Sequence, residues 1–175
     1  MSKKVAVLAV NPVNGSGLFQ YLEAFFENDI PYKTFAVADT TQIHANSGIS
    51  LETDDVVANL LGHTDEFDAL VFACGNAMPK FAENADKQFN KNLLAVIKDF
   101  ADKGKILVGH CVAALLFDNT EIAKGKRVAL HPFVKPIVKN CIGTDEQTVV
   151  EGNIYTAQDE HSVSSLLPEV LKALK

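Results

Sequence analysis

What most limits the fold of this 175-residue chain is a set of short, nearly continuous apolar runs, each followed by a polar turn and then by residues at helical spacing. Lys4-Val-Ala-Val-Leu-Ala-Val10 is the clearest of them. A strand covered on one face alternates apolar with polar residues, whereas a strand covered on both faces does not, so this run suits the interior of a parallel sheet. Pro31–Ala38, Asp68–Cys74 and the stretch from Lys105 to Val108 repeat the pattern. Between them lie helical faces. Leu18, Leu22 and Phe25 mark the first, and Phe89, Leu93, Ile97 and Phe100 a second that ends at Lys103-Gly104. Val56, Val57, Leu60 and Leu61 mark a short helix closed by Gly62. The polar stretch 39–50 suggests a hairpin or short edge strand, and 127–131 a short strand, with Pro132 and Pro136 interrupting regular structure after it. Val149-Val150 and Ile154-Tyr155-Thr156 form a final strand pair, and Val163 to Leu174 a C-terminal helix.

Strands alternating with helices predict a single α/β domain over residues 1–175, an open and mostly parallel sheet with helices on both faces. In such sheets ligands bind at the carboxyl ends of the strands. Three loops meet that condition together: 11–17, 74–78 and 109–112.

The totals exclude several function classes. A formal charge of −6 and no basic cluster argue against a nucleic-acid partner. No apolar run approaches a membrane span, and the Met-Ser-Lys-Lys start followed by a short valine-rich strand lacks the features of a signal peptide, so a cytoplasmic location is expected. Three cysteines, at 74, 111 and 141, have neither an even count nor a CxxC spacing, and reduced thiols are expected. The five histidines show no HxxxH or HExxH pattern, so no metal is expected.

Cys111 stands where the strand ending Val108-Gly109-His110 gives way to the helical run Val112-Ala-Ala-Leu-Leu-Phe117. A nucleophile on such a strand-to-helix corner is pushed out at the carboxyl end of the sheet, with the N–H of the next residue, Val112, facing the site. The helix's positive end favours a thiolate there. The plainer reading is a cysteine that fills space. The loop Asn11–Gly17 also has two readings. Backbone N–H groups near Gly15 and Ser16 at the start of a helix suit an anion, but a tight turn with an Asn or Ser cap is favoured because no dinucleotide or Walker fingerprint is present.

Three passages carry a resemblance. Asp68-Ala-Leu-Val-Phe-Ala-Cys-Gly75-Asn76-Ala77, Gly104-Lys-Ile-Leu-Val-Gly-His-Cys111 and Gly125-Lys-Arg-Val-Ala-Leu-His131-Pro132 resemble, in turn, the Gly-Gly loop strand, the nucleophile strand and the later His-Pro strand of the ThiJ/PfpI family. That group is related to class I glutamine amidotransferases and includes proteins named as intracellular peptidases. The match extends through Glu151–Thr156 and the final helix. It implies a flavodoxin-like three-layer sandwich, a homodimer, Cys111 as nucleophile and oxyanion donors at Gly75, Asn76 and Val112. It also exposes two departures. Asn14 stands where members usually carry an acid that shares a proton with the thiolate, and Val112 stands where peptidase-like members carry a histidine. His110 precedes the cysteine instead, and His131 falls where some members have a histidine near the site.

Three functions are compatible with these residues. The first is a cysteine-dependent enzyme acting on a small-molecule carbonyl compound, amidase or peptidase-like or glyoxalase or deglycase-like, with Cys111 attacking and His131 or His110 moving the proton. No cofactor is required for it. The second is a binding protein that kept the pocket and holds flavin mononucleotide or a phosphometabolite at loop 11–17, through Asn14, Gly15 and Ser16. The third is redox sensing at Cys111, with Cys74 as a second thiol or, more plainly, as sheet packing.

Overall fold

The structure, a computed structural model, describes residues 3–175; Met1 and Ser2, the start of the Met-Ser-Lys-Lys lead, lie outside the described residues. The first apolar run forms β1 (Val5–Val10), and all six of its residues are at most 2% exposed. It lies in the interior of a seven-stranded sheet. Parallel to it run β2 (Tyr32–Val37) on one side and β6 (Ala69–Ala73) on the other. The sheet continues through β7 (Ile106–His110) and β11 (Ile154–Ala157), both parallel, and ends on β10 (Thr148–Glu151), which is antiparallel to β11. A two-residue strand, β5 (Asp55–Val56), closes the other edge beside β2. The order is β10-β11-β7-β6-β1-β2-β5.

Helix α1 (Gly15–Glu27) joins β1 to β2, and α2 (Gln88–Asp102) joins β6 to β7. The two connections leave the centre of the sheet in opposite directions. Right-handed crossovers therefore place the two helices on opposite faces. α2 packs on β2, β6 and β7, while α1 packs against the last helix, α4 (Val163–Leu174), which also covers β10 and β11. Strand order reverses between β1 and β6, and at such a reversal the loops leaving the carboxyl ends diverge and open a crevice. The third of the converging loops leads from β7 into α3 (Ala113–Asn119). Among the described residues no helix is long and apolar enough to cross a membrane.

Four elements differ from the sequence expectation. The first loop is shorter than 11–17, because Asn14 caps α1 by accepting the Gly17 N–H at 2.8 Å and the helix begins at Gly15. The helix expected at 56–61 is a single 3-10 turn, Val57–Leu60, entered from β5. The polar stretch after β2 does form a hairpin, β3 (Gln42–His44) with β4 (Ser50–Glu52), but it stands outside the main sheet. The strand expected at 127–131 is the shorter β8 (Arg127–Ala129), and it too leaves the main sheet to pair in parallel with β9 (Ile142–Thr144). β9 lacks a long apolar run because only one short partner covers it.

One buried carboxylate secures the segment between β8 and β9. Asp118, 1% exposed on α3, accepts the backbone N–H groups of Lys139, Asn140 and Cys141 at 2.9, 2.7 and 2.7 Å. Burial opposes ionisation, but the three donors outweigh it and hold the carboxyl below its usual range. A folded-state pKa below the unfolded one means that the unfolded chain takes up the proton first. The stabilisation is therefore complete above about pH 4 and is lost as pH falls through the folded value. Asp118→Ala is expected to cost about 3 kcal/mol in urea unfolding at pH 7, with a smaller deficit at pH 3; an equal deficit at both values would remove the charge from this account.

Candidate active site

Cys111 occupies the corner between β7 and α3 with φ of +59°, a region that non-glycine residues enter at a cost of order 1–3 kcal/mol. Hydrogen bonds on both sides hold it there. Its N–H donates to the Ala157 carbonyl of β11 at 3.1 Å, and its carbonyl accepts the His131 N–H at 3.1 Å. The corner is tight because residue 109 is glycine: a Cβ there would stand 2.4 Å from the Cβ of Ala113. The side chain of Cys111 is thereby turned out of the sheet into a cavity of about 1000 Å³.

The sulfur environment explains which thiol ionises. Cys74, 2% exposed at the end of β6, lies beside Cys111 and hydrogen-bonds it. Burial, together with that hydrogen bond, pushes the Cys74 thiol well up. Its retained proton stabilises the Cys111 sulfur as thiolate. This bond is the main reason that the Cys111 thiol lies below the ordinary value; partial burial and the Glu160 carboxylate oppose it, the Val112 N–H assists, and the Asp159 carboxylate opposes it too. Cys141 is a different case. Burial and a hydrogen bond to Asp118 push its thiol up to about 12, so it is silent at neutral pH.

The N–H groups of Gly75 and Val112 favour the ionised form of Cys74, and that of Val112 favours it at Cys111 as well, each by less than the burial and the hydrogen bond between the two sulfurs just described. Gly75 is where β6 meets the first loop: a Cβ would stand 2.3 Å from the Pro12 carbonyl oxygen and 2.5 Å from the Val13 Cα. The Asn14 N–H donates to the Cys74 carbonyl at 2.8 Å and completes the junction. The Asn76 N–H is taken up by Asn46 Oδ1 at 3.1 Å.

The two histidines beside the corner have unlike settings. His110 is 1% exposed under α1, where Nδ1 shares a hydrogen bond with the Tyr21 hydroxyl at 3.3 Å and Nε2 lies against Gly17 without a partner. Burial lowers its pKa to about 4, so the ring is neutral at pH 7. His131 stacks on Phe133 and accepts the Phe133 N–H at Nδ1, at 3.3 Å. A neutral ring that accepts at Nδ1 carries its proton on Nε2.

Of the residues that the sequence singles out, the cavity gathers Cys111, Val112, His110, His131, Gly75, Asn76 and Asn14 on its lining. Gly15 and Ser16 open α1 but do not line it. The rest of the wall is mostly apolar, with Met78, Phe81, Leu94, Leu115, Val134 and Ile137 prominent. Cys74, which the sequence offers either as a second thiol or as sheet packing, lines the cavity and is packed in the sheet as well. One contribution escapes a sequence reading. Asp159 and Glu160 sit in a polar run after β11, and their only signal is a position just past the carboxyl end of a strand next to β7.

The charge of Glu160 has a measurable consequence. Glu160→Gln removes a carboxylate that disfavours the thiolate, and it is expected to raise the rate of Cys111 alkylation by iodoacetamide at pH 7. A slower reaction would show that Glu160 does not act through its charge.

Comparison with known proteins identifies the family. A model of the DJ-1/PfpI family matches residues 3–173. The protein ppBat of Bacteroides thetaiotaomicron is 60% identical over 175 residues, covering 100% of both chains. The crystal structure of the "putative protease I" from the same organism superposes with a TM-score of 0.98 at 60% identity, over 99% of this chain and 100% of that one. Drosophila melanogaster DJ-1beta, at 17% identity, shares the fold with a TM-score of 0.84 over 99% of this chain and 91% of its own. The sheet order, its helical layers and these matches together place the chain in the DJ-1/PfpI family, with its flavodoxin-like α/β sandwich.

Proposed function

We propose that the protein is a cysteine-dependent enzyme acting on the carbonyl carbon of small molecules, with Cys111 as its nucleophile. One observation carries this reading: the thiol that is lowered toward thiolate is the one at the strained corner, open to the cavity, while the other two are held protonated. A thiolate is the nucleophilic form of cysteine. In the first step the Cys111 sulfur bonds to the carbonyl carbon and the C=O electron pair moves to oxygen. The N–H groups of Val112 and Gly75, residues that line the same cavity next to Cys111 and Cys74, are the donors for that oxyanion. His131, presenting Nε2–H in the same cavity, is better placed than His110 to donate to substrate oxygen, because His110 Nε2 is turned against Gly17.

The cavity wall limits the substrate. Its apolar lining favours a carbonyl compound with an alkyl or aryl body, and the Glu160 carboxylate disfavours an anionic one. Hydrolysis of an unactivated amide is the less favoured chemistry. Expelling an amine requires a proton donor of suitable pKa, and Asn14, standing where a carboxylic acid is usual, cannot supply one.

The binding-protein reading, with flavin mononucleotide or a phosphometabolite at loop 11–17, is weaker on this geometry. The Asn14 side chain already occupies the Gly17 N–H, and Gly15 and Ser16 lie outside the cavity.

The test is steady-state turnover of paired substrates, phenylglyoxal against methylglyoxal and an aryl ester against acetate ester. We expect higher kcat/KM for the aryl member of each pair, and a loss of roughly a thousandfold or more in Cys111→Ser. Equal turnover by Cys111→Ser would place the chemistry elsewhere, and absence of turnover on both pairs would contradict the proposal.

A further inference from the structure

The cavity that Cys111 faces is uneven in charge. Glu160 lines it, and among the described residues no lysine, no arginine and no second carboxylate does so. His110, on the same wall, is neutral at pH 7 because burial lowers its pKa to about 4. The side chains of Asn14, Asn46, Asn76 and Asn119 add polarity to the lining but no charge. One carboxylate thus faces a mostly apolar space that holds no lysine or arginine to neutralise it.

The segment that carries Glu160, between β11 and α4, is fixed from two sides. Gln20 Nε2 on α1 donates to the Glu160 carbonyl at 2.9 Å and to the Ser16 carbonyl at 3.0 Å. Asp159 Oδ1 accepts the N–H and the hydroxyl of Ser162, both at 2.9 Å, so this second carboxylate is engaged within its own turn and stays off the cavity wall. The Glu160 carboxylate has a looser neighbour, His161 at 3.8 Å, whose ring is exposed to solvent. A surface contact of that kind offsets little of its charge. An apolar wall screens a charge less than water does, so a cation entering the cavity is attracted and an anion repelled. Aromatic rings also attract cations over their faces, and Phe81 and Phe133 line the same cavity.

We infer that the substrate is a carbonyl compound that bears an ammonium group, held by the Glu160 carboxylate while its carbonyl carbon lies at Cys111. The inference rests on the reading of Cys111 as a nucleophile toward carbonyl carbon and adds the charge of the substrate to it. Glu160 is a specificity-determining residue in this account, and its charge has two effects. It draws the ammonium in, and in the empty cavity it opposes ionisation of the Cys111 thiol. A bound ammonium cancels the second effect, because a positive charge beside Glu160 lowers the negative potential at the sulfur. A substrate of the right charge therefore completes the activation of its own nucleophile, and a neutral or anionic one does not.

The experiment has two arms, each run on the full chain and on Glu160→Gln and Glu160→Asp after a check of circular dichroism. In the first, Cys111 is labelled with methanethiosulfonates carrying a trimethylammonium, an uncharged or a sulfonate group, followed by mass spectrometry of the Cys111 peptide. Each rate is divided by that of the same reagent with a small free thiol. Comparing reagents within one protein removes any change in thiolate content, which all three share. The expected order is cationic, neutral, anionic, with the extremes about tenfold apart in the wild type and in Glu160→Asp, and nearly equal in Glu160→Gln. The second arm compares para-nitrophenyl esters of acids ending in trimethylammonium with those ending in tert-butyl, at a short and a long chain length. The charged ester is expected to have the higher kcat/KM, by about tenfold, with the preference lost in Glu160→Gln. Turnover of both esters without preference at either length, equal normalised labelling by all three reagents, or a preference that survives in Glu160→Gln overturns the inference and leaves Cys111 a nucleophile. Labelling of Cys111 without turnover of any ester overturns the carbonyl reading and the inference with it. Cys111 left unlabelled by every reagent overturns its role as nucleophile.

Discussion

A close backbone contact between the first loop and the end of β6 is what the site depends on. The Asn14 N–H donates to the Cys74 carbonyl at 2.8 Å, and Gly75 lies against Pro12 and Val13 so closely that no Cβ fits. This contact spans the place where strand order reverses, which in an open sheet would otherwise part into a crevice. With the two loops locked together, Cys74 cannot retreat from β7, and its sulfur stays beside Cys111. The cap of α1, the turn after β6 and the corner after β7 thus form one structural unit, although they lie about a hundred residues apart in the chain at their extremes.

Within that unit no carboxylic acid stands at the position of Asn14. The partner of the ionised sulfur is a second thiol, kept protonated by burial on the neighbouring strand. A buried thiol is a weak hydrogen-bond donor, and the carboxylates of Glu160 and Asp159 work against the thiolate from the far side. The Cys111 sulfur is therefore balanced between one thiol donor, one N–H and two negative charges. Such a balance suits a nucleophile that must also leave, and it makes Cys74 as consequential as Cys111.

The sheet was legible because its central strands are buried on both faces and so cannot alternate; β1 and β6 are continuous apolar runs for that reason. α2 was legible from Leu93, Ile97 and Phe100, all fully buried on one face. β9 was not, since a three-residue strand with a single short partner has no hydrophobic signature to show. Cys111 could be found by its place between a strand and a helix, and Asn14 by the expectation of a cap. Cys74 could be named only as one of two readings, a second thiol or sheet packing, and Glu160 not at all, because their roles come from parallel registers that join β6 to β7 and β11 to β7, and register is a property of the assembled sheet rather than of any local window.

The central claim is that Cys74 sets the ionisation of Cys111, and the rate of Cys111 alkylation by iodoacetamide as a function of pH tests it most directly, in the wild type and in Cys74→Ala. The account predicts a wild-type midpoint clearly below the free-cysteine value of about 8.5 and an upward displacement in the variant. A wild-type midpoint at or above that value, or one that does not move when Cys74 is removed, would contradict it.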